Sequence, residues 1–265
     1  RKKYRVDNWR NPRVTSTALG VTGNRGQLLD KILEINRDSC ELPGISPLGF
    51  TPSRANILPQ SRVEFFIDFE TVNGVYDTLE KFPTYDGQEL IYNIGVGYTI
   101  NGGPFQFKSF FLDNVANERV MMDEFIAFVE NTAIDNGLTF QECPIYHWTC
   151  AELTFLKSYF NKVELTDGSN WYQRMRVLGL WQWFDFAKYF MDNEIVIKGA
   201  LNFRLKSVAR AFKSHGFIET EWGQTCSDGL AAMTAYISFL QGTLARDDPV
   251  IRDIIDYNEI DCKVM

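Results

Sequence analysis

The chain has 265 residues, 45% hydrophobic and 23% charged, with a formal net charge of −7, a composition ordinary for a globular protein and sufficient for one main α/β domain of about 200 residues plus an appendage. No apolar run approaches the ~18 residues that a membrane-spanning helix requires, which excludes a protein built on such helices. The cysteines Cys40, Cys143, Cys150, Cys226 and Cys262 are odd in number and form no C-x-x-C pair, a usage that fits a reducing, intracellular compartment better than a disulfide framework.

The chain begins at Arg1 with no signal-peptide pattern after it, as expected of a piece of a longer polypeptide with further domains. Residues 1–13 carry Arg1, Lys2, Lys3, Arg5, Arg10 and Arg13 against Asp7 alone. Such an arm reads as a solvated terminus more readily than as a docking element, and the acidic remainder is compatible with a site that binds cations. Apolar positions 28, 29, 32, 33 and 35 predict a short helix over residues 26–36. Pro43, Pro47, Pro52 and Pro59 then punctuate the chain. The domain boundary is placed near Ser61, leaving residues 1–60 as a helical and extended appendage and residues 61–265 as the main domain.

Residues 62–70 (RVEFFIDFE) predict a buried strand, and residues 90–100 and 103–112 predict two more, joined through Asn101-Gly102-Gly103, a hairpin signal. Residues 117–134 carry apolar side chains at 120, 121, 125, 128 and 129, the pattern of an amphipathic helix. Residues 143–148 (CPIYHW) read as a fourth strand, residues 151–160 as the helix after it, and residues 181–186 (WQWFDF) as a fifth strand. Helices follow over 202–213, 228–241 and 249–265. Three strands, then helix, strand, helix, strand and helices is the element order of a ribonuclease H-like α/β fold, a central mixed five-stranded sheet flanked by helices.

Asp68 and Glu70 stand two apart in a strand whose other members are apolar, so both carboxylates share one face. Two like charges on a buried strand repel and lose hydration, at a cost of several kcal/mol unless a cation or proton compensates. The alternative is a strand that ends at Ile67, with both acids in a solvated loop. Near the C-terminus Tyr257 and Asp261 are four apart, on the helix face shared with Ile254 and Val264. Amphipathic helices ordinarily turn Asp outward, as here with Asp253 and Asp256, so an inward Asp261 calls for a reason.

Together these segments resemble the DnaQ-like exonuclease superfamily in its tyrosine variant, and within it the predicted nuclease domains of the YprB type, which are often fused to RecB-like or Cas4-like nucleases and helicases. The resemblance spans roughly residues 62–265 and is carried by Asp68-Phe69-Glu70, IYHW with the acidic helix start after it, WFDF, FRLKSVARAF and Tyr257-Asn258-Glu259-Ile260-Asp261. It implies a nuclease that uses two Mg²⁺ or Mn²⁺ ions held by Asp68, Glu70, Glu152 and Asp261. Asp68 would bridge the ions, Glu70 and Asp261 would complete the first, and Glu152 would shape the second half of the site. Tyr257 would orient the attacking water. The resemblance favours 3′ to 5′ exonucleolysis with release of nucleoside monophosphates, whereas residue chemistry alone is compatible with endonucleolysis and with DNA or RNA.

Many members carry Asp where this chain offers Glu152, and Thr149-Cys150-Ala151-Glu152 also reads as a capping box with Glu at the third helical position. Asp185 is the competing acid; it matches a superfamily position outside the metal-binding motifs and otherwise reads as a strand-end or capping residue. His147, a secondary candidate, would need Cys143 and Cys150 for a zinc site, and a strand and turn scatter those three. Of Trp148, Trp171, Tyr172, Trp181 and Trp183, most are expected in the core and some, Trp148 among them, to stack on bases. Lys206, Arg210 and Lys213 recur along one helix face, as a phosphate-tracking stripe or a solvated surface. Two rivals share the fold: a noncatalytic module that binds nucleic acid or a partner protein, and a metal-dependent strand-transfer enzyme.

Overall fold

In chain order the elements are α1 (Gly23–Asn36), β1 (Ile45–Ser46), β2 (Val63–Val72), β3 (Leu90–Ile100), β4 (Gln106–Phe111), α2 (Glu118–Asp135), β5 (Pro144–His147), α3 (Ala151–Asp167), α4 (Trp171–Met175), β6 (Gln182–Asp185), α5 (Phe186–Asp192), β7 (Val196–Ile197), α6 (Leu205–Ser214), α7 (Gly229–Leu240) and α8 (Pro249–Lys263). The structure, a computed structural model, describes residues 9–37, 44–46, 61–72, 89–167, 171–223 and 229–265, without the side chains of 46, 164–167 and 171. The basic arm up to Asn8, most of the proline-rich stretch and the Trp171 ring lie outside the described residues.

By contact the chain forms two compact units, Arg1–Pro59 with Phe186–Thr220, and Gln60–Asp185 with Glu221–Met265. The sequence-based division assigns residues 186–220 to the main domain. By contact they group with the N-terminal segment, because β7 pairs antiparallel with β1 and Val196 packs with Ile32 and Ile35 of α1. Asn36 ties the same unit together: its Nδ2 donates to Ala200 O at 3.0 Å and its Oδ1 accepts from Gly199 N at 2.7 Å.

The second unit is a five-stranded mixed sheet in the order β4-β3-β2-β5-β6, flanked by helices, the ribonuclease H-like α/β fold. β2 runs antiparallel to β3, and β3 to β4; β5 is parallel to both β2 and β6. The hairpin between β3 and β4 turns at Asn101 (φ 53°) and Gly102 (φ 66°), with Gly103 N donating to Ile100 O at 2.9 Å. Two successive left-handed residues match the twist of the flanking strands, and Asn-Gly adopts them at least cost.

Register decides what each face of the sheet carries. Phe65, Ile67 and Phe69 lie opposite Tyr98, Val96 and Ile94, and this face meets α2, where Phe125 packs edge-on against Phe69 and Phe110. Phe66 and Asp68 lie opposite Gly97 and Gly95, and this face meets α8, whose Asn258 and Cys262 approach the two glycines. Both faces are therefore covered, and β2 is buried along most of its length.

Candidate active site

Two strands and three helices supply the site. In β2 the two-residue period turns Asp68 and Glu70 to the α8 face, and the pairing slips between Glu70 and Thr71, where the strand is irregular. α8 begins at Asp248, whose side chain accepts from Val250 N at 2.9 Å with Pro249 in the first turn, a strong helix start. One face of the helix is then buried from Ile251 through Ile254, Tyr257, Asn258 and Asp261 to Cys262.

These elements bring Asp68, Glu70 and Asp261 together, with one carboxylate oxygen from each lying within 4.8 Å of the others. Glu70 and Asp261 are buried and Asp68 partly so. Burial first, and then the charges of Asp261, Glu70 and Glu152, push the Asp68 carboxyl well above the usual carboxylate range, while a hydrogen bond from Asn258 pulls it down. Such a set of hard oxygen donors, mutually repelling and withdrawn from water, fits a divalent cation such as Mg²⁺ or Mn²⁺.

Two of the three acids are held by donors that the sequence reading did not assign. Asn258 Nδ2 donates to Asp68 Oδ2 at 2.6 Å, and Trp222 Nε1 donates to Asp261 Oδ1 at 2.8 Å. Tyr257 hydrogen-bonds Asp261 through its hydroxyl, and burial, reinforced by the nearby acids, drives the phenol far above its ordinary pKa. Gly229, the first residue of α7, borders Glu70, with space for a Cβ 3.8 Å from Glu70 Oε2. The Asn258 contact had one sequence signal, the glycines at 95 and 97 inside an apolar strand, which mark close approach by another element. Trp222 had none, since it reaches Asp261 from a loop.

Glu152 lies outside the three-acid cluster but within range to raise the Asp68 carboxyl. It is 3% exposed, and Oε2 stands 3.2 Å from His147 Nδ1. Burial raises its own carboxyl, and the bond to His147 opposes that. The capping-box expectation is not realised: α3 starts at Ala151, and the Thr149 N–H that Glu152 would cap is taken by Asp185 Oδ1 at 3.0 Å. Thr149 adopts φ 71°, a left-handed turn between β5 and α3, and Asp185, at the end of β6, braces that turn. His147 is buried, pairs with Glu152 and sits edge-on to Trp183 at 5.6 Å. It groups with neither Cys143 nor Cys150 as a metal cluster among the described residues.

Trp148 is only 8% exposed, which leaves little of its ring open to stack on a base. Trp181 is also buried, whereas Tyr172 is exposed. Lys206, Arg210 and Lys213 lie on α6 in the other unit, with Arg210 exposed and the two lysines partly so.

The family model described as the RNase H superfamily matches residues 66–265, most of the chain, and the chain belongs to that superfamily. No curated protein and no solved structure gives a significant match. Membership points to nuclease chemistry on nucleic acid, and the acidic cluster is suited to the divalent metals that such enzymes use. No helix of the described residues is long and apolar enough to cross a membrane.

Proposed function

We propose that this chain is a two-metal-ion nuclease that hydrolyses nucleic-acid phosphodiesters from the 3′ end of single-stranded DNA or RNA, releasing nucleoside monophosphates. The observation that carries the reading is the convergence of Asp68, Glu70 and Asp261 within 4.8 Å, with Tyr257 hydrogen-bonded to Asp261. Asp68, Glu70 and Asp261 would hold the ions, with Glu152 bordering them. Bound Mg²⁺ or Mn²⁺ supplies Lewis acidity toward water and neutralises charge on the phosphate and leaving oxygen.

The chain's own residues do the rest. Asp68, at the centre of the acidic set, orients the donor oxygens, and Asn258 and Trp222 keep two of those carboxylates from swinging apart. Tyr257 stays protonated at neutral pH, because its pKa is raised rather than lowered, so it serves as a hydrogen-bond donor that positions the attacking water and not as a general base. Glu152, held by His147, provides a further negative edge beside the cluster. The proposed nuclease domain lies within residues 61–265, in keeping with the extent of the family match, although residues 186–220 of that span group by contact with the N-terminal segment.

The test uses 5′-labelled and 3′-labelled single strands of DNA and RNA, with Mg²⁺, Mn²⁺ or EDTA. The expected result is metal-dependent mononucleotide release from the 3′ end, resistance of a circular strand, and loss of cleavage in Asp68→Asn. Internal cutting of the circle would make the enzyme an endonuclease. Binding without cleavage under every metal condition would favour a noncatalytic module of the same fold.

A further inference from the structure

We propose that Asn258 and Gly95 form a latch that presets the Asp68 carboxylate for a divalent cation, with Asn258 as a positioning residue that acts through Asp68. The inference rests on the reading of Asp68 as a metal ligand. Asn258 is fully buried and uses its amide nitrogen on both halves of one residue, donating to the Asp68 carboxylate at 2.6 Å and to the Asp68 backbone carbonyl at 3.2 Å. A donor that spans side chain and backbone fixes the rotamer of Asp68 relative to its own strand, and a bond to a charged acceptor is the stronger kind. Like charges on Glu70, Asp261 and Glu152 surround that carboxylate, so without the latch its lowest-energy course is to turn away from them.

Gly95 is what lets the amide reach. It pairs directly across from Asp68 on β3, and a Cβ built on it would lie 1.9 Å from Asn258 Oδ1. Any side chain at position 95 therefore expels the amide from its slot. Among the described residues Asn258 Oδ1 has no hydrogen-bond partner. Reversing the amide would set an oxygen against the Asp68 carboxylate, so the orientation is decided by Asp68 even though Oδ1 is left without a donor. A buried acceptor without a partner is unfavourable, and an apolar residue at 258 would avoid it while losing hold of Asp68. Packing alone does not account for an asparagine here.

The test is Mn²⁺ binding by isothermal titration calorimetry on the purified chain without nucleic acid, with thermal unfolding in EDTA to follow the fold. Asn258→Ala is expected to weaken Mn²⁺ by about tenfold to a hundredfold, the range for removing an outer hydrogen-bond partner of a metal ligand. Gly95→Ala is expected to produce a similar loss without touching the amide chemically. The double variant should bind no worse than Asn258→Ala, because the truncation vacates the space that the new Cβ occupies. A merely structural role would shift the melting temperature and leave Mn²⁺ affinity unchanged, and that result, or losses that multiply in the double variant, would overturn the latch. Asn258→Leu keeps the volume, loses the donor and carries the same comparison should a smaller variant fail to fold. If the wild-type chain binds no Mn²⁺, the metal-site reading fails and the latch with it; wild-type binding with unaltered variants sinks the latch alone.

Discussion

Tyr257 differs from its acidic neighbours in what its removal should do. Its hydroxyl serves Asp261 and the proposed water rather than an ion, so Tyr257→Phe should leave Mn²⁺ affinity intact while turnover falls, because positioning of the water matters mainly in the transition state. The expected loss is on the order of tenfold to a thousandfold, the scale of one oriented hydrogen bond at a reacting centre. Asp261→Asn should instead weaken Mn²⁺ binding itself, and calorimetry beside single-turnover rates separates the two. A phenylalanine variant with the wild-type rate would make Tyr257 a packing residue. Glu152 raises a similar choice. Glu152→Gln keeps the volume but loses the charge, and as a participant in the site it should lose cleavage with little change in melting temperature. Full activity would reduce Glu152 to the partner of His147. At this scale the strand and helix periods made Asp68 with Glu70, and Tyr257 with Asp261, legible as pairs. Trp222 was not legible, because no local period connects a loop indole to a carboxylate 39 residues away.

At the scale of elements, α8 does most to assemble the site, since one buried face delivers Tyr257, Asn258 and Asp261 to β2 and β3. Its start is set by the Asp248 cap, and loss of such a cap costs about 1 kcal/mol. Asp248→Ala should therefore lower the melting temperature by roughly 2–4 °C, the usual yield of 1 kcal/mol in a domain of this size. Catalysis should persist under conditions where the variant is folded; an unchanged melting curve would mean that Pro249 and packing alone define the helix start. The long strands and helices were readable because each carries several turns or pleats of consistent pattern. The two-residue strands β1 and β7, and the short helices α4 and α5, offer too few positions to show a period. At the β5–α3 turn the sequence also offers a capping box, the alternative to a site role for Glu152, whereas the acid that braces the turn, Asp185, comes from a neighbouring strand.

Across the whole molecule, the repulsion among the acids that lifts the Asp68 carboxyl works against folding. Mn²⁺ or Mg²⁺ should raise the melting temperature, by an amount equivalent to about 2.7 kcal/mol at a hundredfold excess over the dissociation constant. Removing one charge should have the opposite dependence. In EDTA, Glu70→Gln should melt higher than the wild type, since the repulsion that lifts the Asp68 carboxyl is partly relieved, and the gain from added metal should shrink. A variant that melts lower in EDTA would mean that Glu70 is held by donors strong enough to outweigh the repulsion. The sequence by itself determined the order of the long elements, the face shared by Asp68 and Glu70 and the inward turn of Asp261, because each follows from a period of two or 3.6 residues within one segment. Only the tertiary structure decided that Asn258 meets Asp68 through the gap at Gly95, that Trp222 holds Asp261, that Trp148 is enclosed, and that residues 186–220 group with the N-terminal segment. Those contacts depend on strand order and register between distant segments, which local patterns do not encode.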